Sequence, residues 1–372
     1  MKYLALVILL SACSEQIHPV TSASKAWRPA NTAAFEKRLE KLRRHYHIPS
    51  LSVGIVNGHQ LAWYRGLGYA DIENQIPPDT HTVYHIASVT KTFGSLLLMQ
   101  QVEAGKVNLD EPVKNYGIDL GARWGKDPRI KVKHLLTHTA SGHSLNWYAS
   151  GYSFRYNGAW YGQLGKVIEK ASGKSFGELL VQKIIQPLQL QHTAPSLDDS
   201  LNFSLTGYHH DAFAKRVAKP YDRQGHRLAP VHMKYGFGPA AGIMSSVSDL
   251  AVYSIAIDEQ LFLKPATWEK TFTNYRNPIG KTLPYALGWF VGYYDGIKVM
   301  YHTGWWYGYS ALFLKVPARD LTLIILANSQ DLSRPFYLTM YPIPVPWFGQ
   351  SLHKDLMVSE FAKAFWEFFV EK

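Results

Sequence analysis

Strand-like segments stand at both ends of this 372-residue chain, and helix-patterned sequence fills the space between them. Near the start, residues 51–56 and 60–66 read as strands joined at Asn57-Gly58, a strong two-residue hairpin signal. Toward the other end, residues 286–293, 298–302, 309–316 and 321–327 read the same way, with turns signalled at Asp295-Gly296 and over 317–320. Strands joined by short turns pair antiparallel. The expectation is an α+β fold: one antiparallel sheet built from both termini and flanked by helices, with a mainly helical region inserted.

A composition of 47% hydrophobic and 18% charged residues suits a large core. Residues 31–372 are expected to form one domain, its α/β part at about 31–95 and 270–372 and its helical part at about 96–269. The spacing of Phe35, Leu39 and Leu42 predicts a helix over 31–45. Met357, Phe361, Phe365 and Phe368 recur at helical spacing near the C-terminus and are expected to pack on the sheet. Pro342, Pro344 and Pro346 break structure just before them. No internal repeat is evident.

The first residues carry an address. Met1-Lys2, an apolar run over 3–10 and Leu10-Ser11-Ala12-Cys13 have the layout of a signal peptide (1–12), and the run is too short to span a bilayer. Leu-Ser-Ala-Cys resembles a bacterial lipobox, so Cys13 is the expected lipidation site, with 13–30 as a polar tether. Cys13 is the only cysteine, which excludes an intramolecular disulfide. Ser14 is not the aspartate that retains lipoproteins at the inner membrane. The expected location is the bacterial cell envelope, lipid-anchored to the outer membrane and facing the periplasm. The net charge of +11 is scattered, as in Lys41, Arg43, Arg44, Lys131 and Lys133. No long basic run marks a nucleic-acid partner; anionic wall polymer or lipid headgroups suit this surface better.

Ser88-Val89-Thr90-Lys91 carries the chemistry. Serine and lysine three apart on a helix share a face, so the amine can draw off the hydroxyl proton. The pattern is weak alone, since it also occurs at Ser22…Lys25 and Ser351…Lys354. Around Ser88 it opens an apolar stretch in which Phe93, Leu96 and Leu97 face the core and Gly105 ends the helix. Ser88 then sits at a helix N-terminus, where the dipole favours a developing oxyanion.

That segment (84–113), IKVKHLLTHTASGH (130–143), FRYNGAWYGQLGKVIEKASGKSF (154–176), PAAGIMSSVSDLA (239–251) and YALGWF…YHTGWWYGYS (285–310) together resemble the penicillin-binding-protein and class C β-lactamase superfamily of serine hydrolases. The resemblance implies that Ser88 is acylated, that Lys91 takes its proton, that Tyr156 shuttles a proton to the leaving group, and that His302-Thr303-Gly304 lines the site. The N–H groups of Ser88 and Trp305 would form the oxyanion hole. No cofactor is implied.

Departures bear on specificity. The family's asparagine two residues after the tyrosine falls on Gly158, with Asn157 at the middle position as a substrate contact. Its loss favours ester over peptide or β-lactam recognition. His302 replaces a lysine and would hold a substrate carboxylate less strongly, the more so as pH rises past about 6.5. Trp305 narrows the pocket. Ala140 and His143 also depart from the family wording. No Gly-x-Ser-x-Gly elbow occurs. His81…His85 and His134…His138 have i,i+4 spacing, but no His-Glu-x-x-His accompanies them, so no metal site is expected. The expected function is acyl-enzyme hydrolysis of a D-alanyl cell-wall peptide or a small acyl ester. Alternatives are a β-lactamase and a binding protein that kept the fold without the chemistry.

Overall fold

The expected sheet forms, with two strands from the start of the chain and four from its end. The computed structural model describes residues 27–120, 129–140, 149–224, 227–232, 234, 236–337 and 352–371. Cys13, the expected tether up to residue 26, His143 and the three prolines lie outside them. The strands are β1 (Ser50–Asn57), β2 (Gln60–Gly68), β3 (Phe290–Tyr294), β4 (Ile297–Trp306), β5 (Tyr309–Val316) and β6 (Leu321–Ala327). Their order is β2-β1-β6-β5-β4-β3, every neighbour antiparallel. The two ends of the chain meet at the β1–β6 seam, from Leu51 opposite Ala327 to Asn57 opposite Leu321.

Turn chemistry sets the register. Asp295 and Gly296 both take positive φ (49° and 75°), the twist a tight hairpin needs between β3 and β4. β3 starts four residues later than expected, because the Ala286 N–H bonds to the Trp289 carbonyl and curls the chain before Phe290.

Helices cover both faces of this sheet. Side chains alternate across a strand. Leu51, Val53 and Ile55 of β1 and Leu323 and Ile325 of β6 pack with Phe35 and Leu39 of α1 (Thr32–His45) and with Phe361 and Phe365 near the C-terminus. The other side chains of these strands, Val56, Ile324 and Leu326, join a second core with Phe93 and Leu97 of α2 (Thr90–Glu103) and Leu250 of α3 (Val247–Asp258). Coverage on both sides explains why β6 reads as an unbroken apolar run, Leu-Thr-Leu-Ile-Ile-Leu-Ala, rather than an alternating one. The C-terminal element is shorter than its apolar spacing suggests: an α-helix over Glu360–Phe365 (α4) that widens into a π-turn over Trp366–Val370.

Candidate active site

α2 is buried on nearly every side, from Thr90 to Met99. A 3-10 turn, Ala87–Val89, feeds straight into it and carries Ser88. Ala87 takes a left-handed φ of 49°, unusual for a residue with a Cβ. Its N–H donates to His85 Nδ1 at 3.1 Å, which helps hold the turn. Lys91 follows one helical turn later and is only 1% exposed.

Lys91 Nζ lies 3.0 Å from Ser88 Oγ and donates to the Ala240 carbonyl at 2.8 Å. Burial brings its pKa down from 10.5 to about 7. A neutral amine at that distance has a lone pair free for the serine proton. Tyr156 is also brought here, with Lys91 Nζ 5.0 Å from its ring centroid. Its hydroxyl is buried and meets no hydrogen-bond geometry, although Ser88 is near enough to favour its ionisation slightly. Burial dominates, with Tyr337 adding to it, and raises the phenol well above 10. Tyr156 is therefore neutral, and Lys91 is the group whose geometry and burial suit a base.

Strand β4 closes the site. Phe290 pairs with Tyr301, so β4 runs on past the end of β3 and leaves one edge of residues 302–306 open. The Ser88 turn packs there. A Cβ on Gly304 would stand 2.4 Å from the Ile86 carbonyl oxygen and 3.1 Å from Ala87 Cβ, so only glycine lets strand and turn approach this closely. Thr303 is 1% exposed; its hydroxyl is buried and meets no hydrogen-bond geometry, although it stands near enough to Tyr337 to favour that phenol's ionisation slightly. Trp305 stacks on Tyr337, ring centroids 4.7 Å apart.

His302 does not line the cavity. It is fully buried, with Nδ1–H donating to the Thr303 carbonyl at 2.7 Å and Nε2 accepting from Tyr285 Oη at 2.8 Å. Burial, and then the neighbouring Lys91, lower its pKa to about 3. The expected carboxylate contact fading above pH 6.5 is thus corrected: this imidazole is neutral and both its nitrogens are engaged. Asn157 is also turned away from the cavity. It caps the helix Gly158–Gly162, its Oδ1 accepting the Trp160 N–H at 3.0 Å. Gly158 does face the chemistry, for a Cβ there would point at Lys91 Nζ from 3.8 Å.

The paired histidines have separate tasks. His81 bonds to Ser248 and packs at a tilt against His192, while His134 Nδ1 accepts the Lys131 N–H. His138 clamps the Tyr156 segment: its carbonyl accepts from Arg155 N–H at 2.8 Å and its Nδ1 from Asn157 N–H at 3.1 Å. Sequence reasoning assigned no role to His138 in the site and missed Ala240, Gln330 and Tyr337. A backbone carbonyl leaves no side-chain signature, and Tyr337 is one of 23 tyrosines.

The cavity at Ser88 has a volume of about 490 Å³. Ser88, Lys91 and Tyr156 form its floor; Phe237, Ala240, Trp305, Trp306 and Tyr337 supply walls.

The fold thus sets a serine on a turn, beside a buried lysine on the helix that follows, against the open edge of one strand of an antiparallel sheet. Residues 35–339 match the family model described as Beta-lactamase, and the chain belongs to that family. Protein flp of Staphylococcus aureus (strain MW2) is 26% identical over 320 residues, 76% of this chain and 60% of that protein, so the chain spans about 60% of this relative's length. The octameric penicillin-binding protein homologue from Pyrococcus abyssi superposes with a TM-score of 0.68 at 26% identity, covering 81% of this chain and 74% of that one. The D-alanine carboxypeptidase AmpC from Burkholderia cenocepacia shares the fold at a TM-score of 0.67 and 20% identity, over 90% of this chain and 98% of that one.

Proposed function

We propose that this protein is a serine hydrolase that works through an acyl-enzyme on Ser88, taking a small acyl ester or a D-alanyl peptide. The observation that carries the reading is the 3.0 Å approach of a buried Lys91, held near neutrality at pH 7, to the Ser88 hydroxyl. The proton of Ser88 Oγ passes to Lys91 Nζ as Oγ bonds to the substrate carbonyl carbon. The N–H groups of Ser88 and Trp305 receive the oxyanion. When the bond to the leaving group breaks, the proton on Lys91 goes to that group, directly or through the neutral Tyr156 hydroxyl. Water then repeats the sequence in reverse, Lys91 accepting its proton, and releases the acid and free Ser88.

Belonging to this family and resembling a D-alanine carboxypeptidase in fold support a hydrolase; neither fixes the substrate. The test is intact-protein mass after exposure to a penicillin and, separately, to an uncharged fluorophosphonate, beside Ser88→Ala. An adduct on the wild type alone assigns the nucleophile. A lasting penicillin adduct favours the peptidase reading; none with either reagent favours a binding protein that lost the chemistry. The sequence through Cys13 supports a lipid anchor on the outer membrane's periplasmic face. Cys13→Ser should move the protein from the membrane to the soluble fraction, and unchanged fractionation would end that assignment.

A further inference from the structure

The substrate's charge follows from the walls of the cavity. Among the described residues lining it, Lys91 is the only cationic side chain. Its active form is the neutral one, so the protonation state that catalyses is the one that brings no positive charge into the pocket. His302 lies behind the wall, hydrogen-bonded at both nitrogens. The Lys234 carbonyl accepts from Trp306 Nε1, but the lysine is exposed and does not line the cavity. A carboxylate entering this space would lose water and, among the described lining residues, find no cation but Lys91, whose active form is neutral, so the transfer is expensive.

What the cavity offers is aromatic surface. Trp305 lies on Tyr337 as a stacked wall, and Trp306 is stacked on His85 with centroids 5.3 Å apart. Phe237 stands in the same lining, and Gln330 adds a neutral polar side chain. Thr303 keeps its hydroxyl buried near Tyr337 and out of the lining.

We propose that this site takes uncharged carboxylic esters with an aromatic or other apolar group laid on the Trp305–Tyr337 wall, and that it rejects substrates carrying a free carboxylate beside the scissile bond. The inference rests on the hydrolase reading above. The reaction balances as ester plus water giving acid plus alcohol: the carbonyl–O bond to the alcohol breaks, Ser88 Oγ holds the acyl group, and the alcohol leaves with the proton from Lys91. D-Alanyl peptides and penicillins, which end in a carboxylate, fall on the rejected side.

The test follows one bond, the phenylacetyl–O bond, in two charge states: 3-(phenylacetyloxy)benzoate and its methyl ester, both read by release of phenylacetate so that cleavage of the methyl ester itself is not counted, at pH 8 with wild type and Ser88→Ala. A kcat/KM for the methyl ester at least about tenfold higher supports the proposal, since one uncompensated charge readily costs that much. A smaller ratio, or preference for the carboxylate, overturns it. Gln330→Arg, which places a cation in the lining, should narrow the ratio by several-fold; a ratio left unchanged counts against charge as the discriminant. If neither ester is cleaved and Ser88 takes no fluorophosphonate, the hydrolase reading fails, and the substrate class falls with it.

Discussion

At the scale of single residues, the burial that fits Lys91 to the proposed base role also costs stability. Depressing its pKa from 10.5 to about 7 costs on the order of 4 kcal/mol of folding stability at pH 7. The sign follows from proton counting. Between about pH 7 and 10.5 the unfolded chain binds the extra proton, so stability rises with pH there; below 7 both states hold it and the penalty is complete. Lys91→Met should therefore abolish acylation yet melt higher than wild type at pH 6, with the gap closing toward pH 10. Equal melting temperatures at pH 6 would show that the amine is not held out of water. In the wild type, kcat/KM should climb along a single limb near pH 7 and then level off. A second inflection near 6.5 would contradict the neutral, doubly bonded His302. Gly158→Asn, whose side chain would reach Lys91, should raise the ratio of amide to ester turnover by several-fold, read with matched anilide and phenyl ester substrates. An unchanged ratio would mean this position does not touch the acyl group.

At the scale of elements, the site is a contact between one turn and one strand. Gly304→Ala inserts a methyl group 2.4 Å from the Ile86 carbonyl, so β4 and the Ser88 turn must separate. A loss of about 1–3 kcal/mol is expected, typical of overpacking, with kcat falling more than KM rises. Chemical denaturation and steady-state kinetics on the same preparation measure both. Much of this level was legible in the sequence. The hairpin signals at 57–58 and 295–296 located real turns, and β1, β2, β5 and β6 formed near their expected bounds. Harder to read were contacts made by backbone: the Ala240 carbonyl on Lys91, and the curl at 286–289 that delays β3. His302 was misjudged because a motif position says which residue stands on the strand, not whether burial lets it carry charge. Asn157 was misjudged likewise, since a helix N-cap and a substrate contact ask for the same side chain.

On the scale of the whole molecule, both ends of the chain cover the same sheet face. Phe35 packs edge-on against Phe369 at 5.2 Å between centroids, and it lies 6.5 Å from Phe365. Phe365→Ala should lose about 3–5 kcal/mol, a loss in the range of large-to-small core changes. Limited proteolysis should then release the N-terminal helix and the C-terminal segment together. Loss of one end while the other stays protected would argue against a shared core. This joining of the ends was legible because strand patterns stood at both termini. What the middle of the chain builds against them was not, because the packing of short helices depends on distant side chains.

The β1–β6 seam also sets a timetable. A ribosome emits Ser88 and Lys91 long before the strand that faces them, and β6, which locks that strand group to β1, later still. Such long-range pairing is slow to form. Until those strands arrive, the emerging polypeptide holds the Ser88 turn without the strand it packs against. The cell that makes this protein thus receives Ser88 and Lys91 before the strand that faces them, and completes the site only after β4, β5 and β6 have been made.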